Sequence, residues 1–314
     1  MSEIDLPGIS ANELRFHVSR PVVWFDQHKS VLPQGATLLT GRPKSGKSLL
    51  CEQVATEVAE NKLVAYFAFE YGSDLMKNRF KRHLRAGYDY SQLRLFSRED
   101  VPPKEMPLTF VERVLRTASE RDQPYQIAVI DVLNKVKPRN DGSYDREYDA
   151  IAPITALAPR FVEALLVVHH SRKKDVKQTA TSQVSVDEAL GSTAIAGAFD
   201  TVVGLQRHGD IVTLVHESRL FEQREHSFRL ADGTLTSMTK IEADVVRLQD
   251  SAPLQSNIAE YISAHSVTQT QLAAALGVSV VSVNRAVKGL ADKKIIVSPT
   301  RGCVLQLNLI PEKK

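Results

Sequence analysis

The sequence predicts an α/β fold: a mostly parallel sheet covered by helices, followed by a small separate domain of short helices and two terminal strands. Three observations lead there. Between about residues 36 and 245, short aliphatic or β-branched runs alternate with segments of helical period. The first of those runs enters a glycine-containing loop that opens a helix. Past residue 251 the pattern changes to short helices, and the charge turns basic.

The predicted strands are ATLLT (36–40), LVAYFAF (63–69), LRLF (93–96), IAVID (127–131), ALLVVHH (164–170), TVVGLQ (201–206), IVTLVHE (211–217) and SFRLA (227–231). Continuous apolar runs of this kind suit strands buried on both faces. Helices are predicted at 46–60, 73–86, 109–122, 146–160 and 186–198, the first with Leu49, Leu50, Val54 and Val58 near helical spacing. The last strands follow one another without helices, so an antiparallel edge is expected. The polar stretch QDSAPLQSN, with Pro253, predicts a linker over 246–254 between a core of 26–245 and a small domain of 255–314. Residues 1–25 form a less legible segment; whether Trp24 packs on the core or reaches a neighbouring subunit stays open.

Composition narrows the class. The 314 residues are 43% hydrophobic and 25% charged, enough for a sizeable core and too apolar for a disordered chain. No run approaches the ~18 apolar residues of a membrane span, and MSEIDLPGIS lacks the features of a signal peptide, so a cytoplasmic protein without a membrane partner is expected. Cys51 and Cys303 stand far apart without a Cys/His cluster, which predicts neither a disulfide framework nor a zinc module. The net charge of +3 is unevenly spread: residues 251–314 carry seven basic and three acidic side chains, so the rest of the chain sums to −1.

The strongest motif is Gly41-Arg42-Pro43-Lys44-Ser45-Gly46-Lys47-Ser48, followed by Leu49, between a strand and a helix. This is the G-x-x-x-x-G-K-[ST] phosphate loop in the context its chemistry requires. The glycines let consecutive N–H groups turn toward a phosphate, and the helix N-terminus adds partial positive charge. Lys47 is expected on the β/γ-phosphates of ATP and Ser48 on Mg²⁺. Asp131 closes the strand IAVID; a strand-end Asp is often only a turn residue, but beside a phosphate loop it is expected to hold Mg²⁺, from a strand neighbouring the loop's own. Val132 and Leu133 follow it, so the catalytic base must lie elsewhere. Glu70 ends LVAYFAFE and is the candidate, with a helix N-terminal acid as the other reading.

With these residues in order, the chain resembles the RecA-like P-loop ATPases, and among them the DnaB-type and plasmid RepA-type ring helicases, over roughly residues 20–240. The resemblance is carried by GRPKSGKS, Glu70, VIDV around Asp131, VVHHSRK at 167–173 and GSTAIAGAFDTVVGLQR at 191–207. It implies a γ-phosphate sensor at His170, an adenine-stacking Arg79, a homo-oligomeric, hexameric ring, replication proteins as partners, and a cationic finger supplied by the neighbouring subunit. Arg219 is the first finger candidate and Arg207 the second. Two departures weigh against strong hydrolysis: the Lys-x-Arg pair of DnaB-type proteins reads Glu217-Ser218-Arg219, and the RepA-type finger position is Asp200. The resemblance also implies that the loops after Asp131 and His170 line a channel for single-stranded DNA, with Lys135, Lys137, Arg139, Arg172, Lys173, Lys174 and Lys177 on phosphates. Neither loop offers an interleaved aromatic for base stacking.

In the C-terminal part, SNIAEYISAH and TQTQLAAALGVSVVSVNRAVKGLADKK read as three helices, the last two joined at Gly277-Val278 with Ser279 as a cap. With IIVSP and CVLQLNL as strands this is the pattern of a winged helix-turn-helix. Ser282, Asn284, Arg285 and Lys288 are the candidate contacts to duplex DNA, against the alternative of a protein-docking module.

Overall fold

The computed structural model describes residues 21–138, 144–170, 193–297 and 304–307. One nine-stranded sheet organises the first 240 residues: β1 (Gly35–Gly41), β2 (Val64–Ala68), β3 (Leu93–Ser97), β4 (Ile127–Asp131), β5 (Ala164–His170), β6 (Thr201–His208), β7 (Ile211–Ser218), β8 (Arg224–Ala231) and β9 (Thr234–Met238). Their order is β3-β2-β4-β5-β1-β6-β7-β8-β9. The six strands from β3 to β6 are parallel, and β6 to β9 form an antiparallel edge.

Alternation within the strands builds two cores. In β2, Val64, Tyr66 and Ala68 face one side, while Ala65 and Phe67 face the other with Phe69 just beyond the strand; all six are buried. The first side is covered by α1 (Lys47–Val58) and α2 (Ser73–Lys81). The second is covered by α3 (Pro107–Glu120), the short α4 (Leu133–Val136), α5 (Tyr144–Thr155), α6 (Leu157–Phe161) and α7 (Thr193–Gly197). Cys51 lies at 0% exposure within the first core, and burial pushes its thiol well above the ordinary range.

Four expectations are corrected. The helix expected over 146–160 is two, α5 and α6, because Pro159 has no N–H to offer the carbonyl of Thr155. The helix expected to reach residue 86 ends at Lys81. The strand β9 is absent from the expected set, although Asp232-Gly233, with φ of 50° and 76°, is the turn pair that closes a hairpin. The linker expected over 246–254 is helical: α8 (Lys240–Ser251) is followed after one residue by α9 (Pro253–Ala264). A reciprocal cap between Thr239 and Glu242 starts α8, and Pro253 at the first position of α9 separates the two.

A third core gathers Val245 and Leu248 of α8 with α9, α10 (Gln269–Leu276) and α11 (Val280–Asp292). Gly277, in the left-handed conformation at φ 65°, turns the chain so that α10 and α11 meet at 115°. Ser279 caps α11 by accepting from the Ser282 N–H. Leu272, Ala273, Val283 and Val287 are buried, and Ile296 pairs with Leu307 in an isolated antiparallel bridge. No single helix among the described residues is long and apolar enough to cross a membrane.

Trp24 packs within its own chain. It pairs with Pro33 in a β-bridge, lies 5.0 Å from the Phe221 ring, and has the Arg224 guanidinium 4.2 Å over its face.

Candidate nucleotide site

Register decides what meets at the carboxyl edge of the parallel strands. Asp131 is level with Ala68 on β2 and with Val168 on β5, and Val168 is level with Leu39 on β1. Two residues further along, Gly41 is level with His170, and Glu70 reaches the same height from β2. Because β4 stops at Asp131, Glu70 and His170 meet across its end: His170 Nε2 lies 3.3 Å from Glu70 Oε1. The expectation that the Asp131 strand neighbours the loop strand is corrected, since β5 runs between them. The helix following the loop closes the gap and brings the Ser48 side chain near enough to Asp131 to favour its carboxylate form.

The loop itself is shaped by close approach. A Cβ on Gly41 would come within 2.4 Å of the Leu205 carbonyl oxygen, and Gly46 opens α1 at φ 107°. Arg42, Pro43 and Lys44 are exposed, Ser45 is buried, and Leu49 packs partly on the first core. Lys47 is buried; its Nζ donates to the carbonyls of Gly41 (2.8 Å) and Arg42 (2.7 Å). Burial lowers its ammonium to about 8, with Asp131 pulling the other way.

Asp131 is fully buried, and burial raises its carboxyl above the usual range although the nearby Ser48 and Tyr66 hydroxyls pull it down. The Tyr66 hydroxyl donates to Oδ2 at 3.0 Å, while Oδ1 is buried without a partner. An orphaned carboxylate oxygen beside a serine hydroxyl at the base of a phosphate loop is a donor set that fits Mg²⁺. Ser48 and Asp131 would hold the ion.

A cluster that sequence reasoning missed surrounds Glu52 on α1. This carboxylate has 0% exposure and accepts from the Tyr71 hydroxyl (2.9 Å) and Arg79 Nε (2.5 Å), with His83 Nε2 at 3.6 Å. Burial alone would raise its carboxyl; the contacts with His83, Arg79 and Tyr71 outweigh that and hold it lower. Arg79 also lies 4.9 Å over the Tyr71 ring. Its guanidinium is thus committed to Glu52, not simply solvated. Nothing in the local sequence marks the partners, which lie 19 and 27 residues from Glu52.

The remaining candidates are dispersed. Arg219 lies at the opposite edge of the sheet, since Ser218 is level with Thr201 and thereby with Thr37; its Nη2 donates to the Gly197 carbonyl at 2.7 Å. Arg207 is on the nucleotide edge, exposed, with Nε on the Gly209 carbonyl. Asp200 supports the backbone: its Oδ2 accepts the Ala36 N–H at 2.8 Å, beneath Gly35. Lys135 is exposed, whereas Lys137 is largely buried and paired with Glu147 at 3.1 Å. Arg139, Arg172, Lys173, Lys174 and Lys177 lie outside the described residues. On α11, Asn284, Arg285 and Lys288 are exposed and Ser282 is half-buried at the cap.

No curated protein sequence matches the chain. Among solved structures, one ATPase domain superposes with a TM-score of 0.51 at 13% identity, covering 66% of this chain and 85% of that one. A DnaB-like replicative helicase, solved in work on its interactions with primase, superposes with a TM-score of 0.54 at 13% identity, covering 76% of this chain and 69% of that one. Likeness at this identity shows the fold alone: an α/β domain with a mostly parallel sheet that resembles RecA-like ATPase domains. The family model described as AAA domain matches residues 7–176, just over half of the chain. The chain belongs to that AAA domain family, AAA_25.

Proposed function

We propose that this chain is a Mg·ATP-dependent, ring-forming ATPase that acts on DNA in replication, helicase-like and of plasmid or phage type. The observation that carries this reading is the meeting of Glu70 and His170 at 3.3 Å, at the height of Gly41. In this mechanism the loop N–H groups and Lys47 bind the phosphates, exchanging the carbonyls of Gly41 and Arg42 for phosphate oxygens. Ser48 and Asp131 would hold Mg²⁺, which when bound would supply positive charge beside the phosphates. Glu70 orients a water and accepts its proton. His170, bonded to the same carboxylate, carries its position into the segment after β5, where Arg172, Lys173, Lys174 and Lys177 contact single-stranded DNA together with Lys135 and Arg139, and with Lys137 only on release from Glu147. Arg79 stacks on adenine while braced by Glu52. Arg219, far from its own loop, completes the site of a neighbouring copy in a hexameric ring, with Arg207 second; replication proteins are the further partners.

A second reading is an ATP-controlled DNA-binding regulator, initiator or recombination adaptor without helicase activity. Asp200 standing where a finger is expected, and spent on Ala36, favours it. Strand displacement on a forked duplex separates the two. The motor reading expects ATP-dependent unwinding and ATP turnover stimulated by DNA; assembled protein that does neither would leave the regulator.

The C-terminal unit supports a winged helix-turn-helix that reads duplex DNA. Its support is the 115° crossing, the Gly277 turn and an exposed α11 face bearing Asn284, Arg285 and Lys288 with no acid in its first turn. Truncation at residue 251 would bare Val245 and Leu248, so point variants are the cleaner probe. Arg285→Ala with Lys288→Ala is expected to weaken duplex binding and to shallow its salt dependence by about 1.8 in log–log slope. An unchanged slope would point to protein docking.

A further inference from the structure

The basic segment KNRFKRHLR, whose helix ends at Lys81, is only partly accounted for by the Glu52 cluster, which takes Arg79 and His83. Residues 74–94 hold six Lys/Arg against two acids, in a stretch of the chain whose first 250 residues sum to −1. Both acids are engaged locally: Asp74 sits 3.9 Å from Lys77, and Asp89 accepts from the Ser91 N–H and hydroxyl at 2.8 and 2.9 Å. Lys77, Lys81, Arg82 and Arg85 are exposed, and among the described residues the last three form no ion pair. Arg82 and Arg85 share a cavity with Glu57 and Glu60, and Lys77 has only the exposed Asp74 beside it, so Lys81 carries the least opposed charge and Lys77 the next.

The same surface is unusually apolar for so charged a segment. Leu75 is 53% exposed, Leu84 45% and Tyr88 51%. Tyr88 lies nearly parallel to Tyr90, with centroids 6.4 Å apart and 28° between planes. Tyr90 in turn accepts the Arg85 N–H at 3.0 Å, which braces the loop. The half-exposed Tyr88 ring thus has a second ring beside it. Cations alternating with a braced aromatic are the composition of a single-strand stacking surface. The loops after Asp131 and His170 lack that aromatic component.

We propose that the surface from Lys77 to Tyr90 binds single-stranded nucleic acid, with Lys77 and Lys81 on phosphates and a base stacked on Tyr88. It is distinct in sequence from the loops after Asp131 and His170 and from α11, and it does not require ATP turnover.

The test uses the full chain without nucleotide and a fluorescein-labelled 20-nucleotide oligo(dT), read by anisotropy across a salt series. Lys77→Glu with Lys81→Glu is expected to weaken binding at least tenfold and to shallow the log–log salt slope by about 1.4. Tyr88→Ala is expected to weaken it about fivefold or more, with Tyr88→Phe restoring it, because Phe keeps the stacking face. A control at another exposed tyrosine, Tyr148→Ala, is expected to bind as the parent does. Photocrosslinking with a 5-iodouracil oligonucleotide should label the 77–90 peptide. Unchanged affinity in both variant sets, or crosslinks confined to other peptides, overturns the proposal. Binding of poly-glutamate with the same variant sensitivity, and no crosslink to this peptide, would assign the surface to an acidic protein and overturn it as well.

Discussion

Replacing Glu70 by Gln is expected to lower ATP turnover by roughly 10²–10⁴-fold while nucleotide affinity stays within a few-fold of the parent. The substitution keeps size and hydrogen bonding but removes the proton acceptor. Glu70 is exposed, stands at the height of Gly41, and is oriented by His170 at 3.3 Å. Asp131 cannot substitute for it, because that carboxylate is buried with one oxygen on Tyr66 and the other without a partner. Single-turnover hydrolysis beside titration with a fluorescent ATP analogue separates the two effects. Equal turnover in the variant would return Glu70 to the role of an acid at the start of α2.

Lys47→Ala should abolish nucleotide binding in the working range, with a loss of about 3 kcal/mol or more, roughly 100-fold or greater in affinity. The buried ammonium is the cation placed at the mouth of the loop, and its two present acceptors are main-chain carbonyls that phosphate oxygens can replace. The same titration reads the outcome, with thermal unfolding as a check on folding. Retained affinity would show that the loop N–H groups alone hold the phosphates.

What is legible in the sequence follows from how local each cause is. The phosphate loop is a contiguous string whose glycines answer to nearby constraints, so it reads directly. Glu70, Asp131 and His170 read almost as well, because each ends an apolar run and strands of similar length deliver their ends to one edge. The position of β5 between β1 and β4 is not legible: strand order depends on crossovers among segments a hundred residues apart. The Glu52 cluster is hidden for a related reason, since a glutamate in a helical pattern reads as a solvent-facing residue until Tyr71, Arg79 and His83 are folded over it. The helix α8 escapes notice because its polar C-terminal residues and Pro253 read as one break, when the proline begins the next helix.

That helix has a mechanical consequence. Arg247 on α8 donates to the Thr213 hydroxyl at 2.7 Å and to Glu225 at 2.8 Å, gripping β7 and β8, while Val245 and Leu248 are embedded among the C-terminal helices. The grip lies on a strand that begins beside the nucleotide edge at Ile211 and ends next to Arg219. The helix therefore ties the C-terminal unit by side-chain contacts to a strand that runs from the phosphate edge to the residue before Arg219.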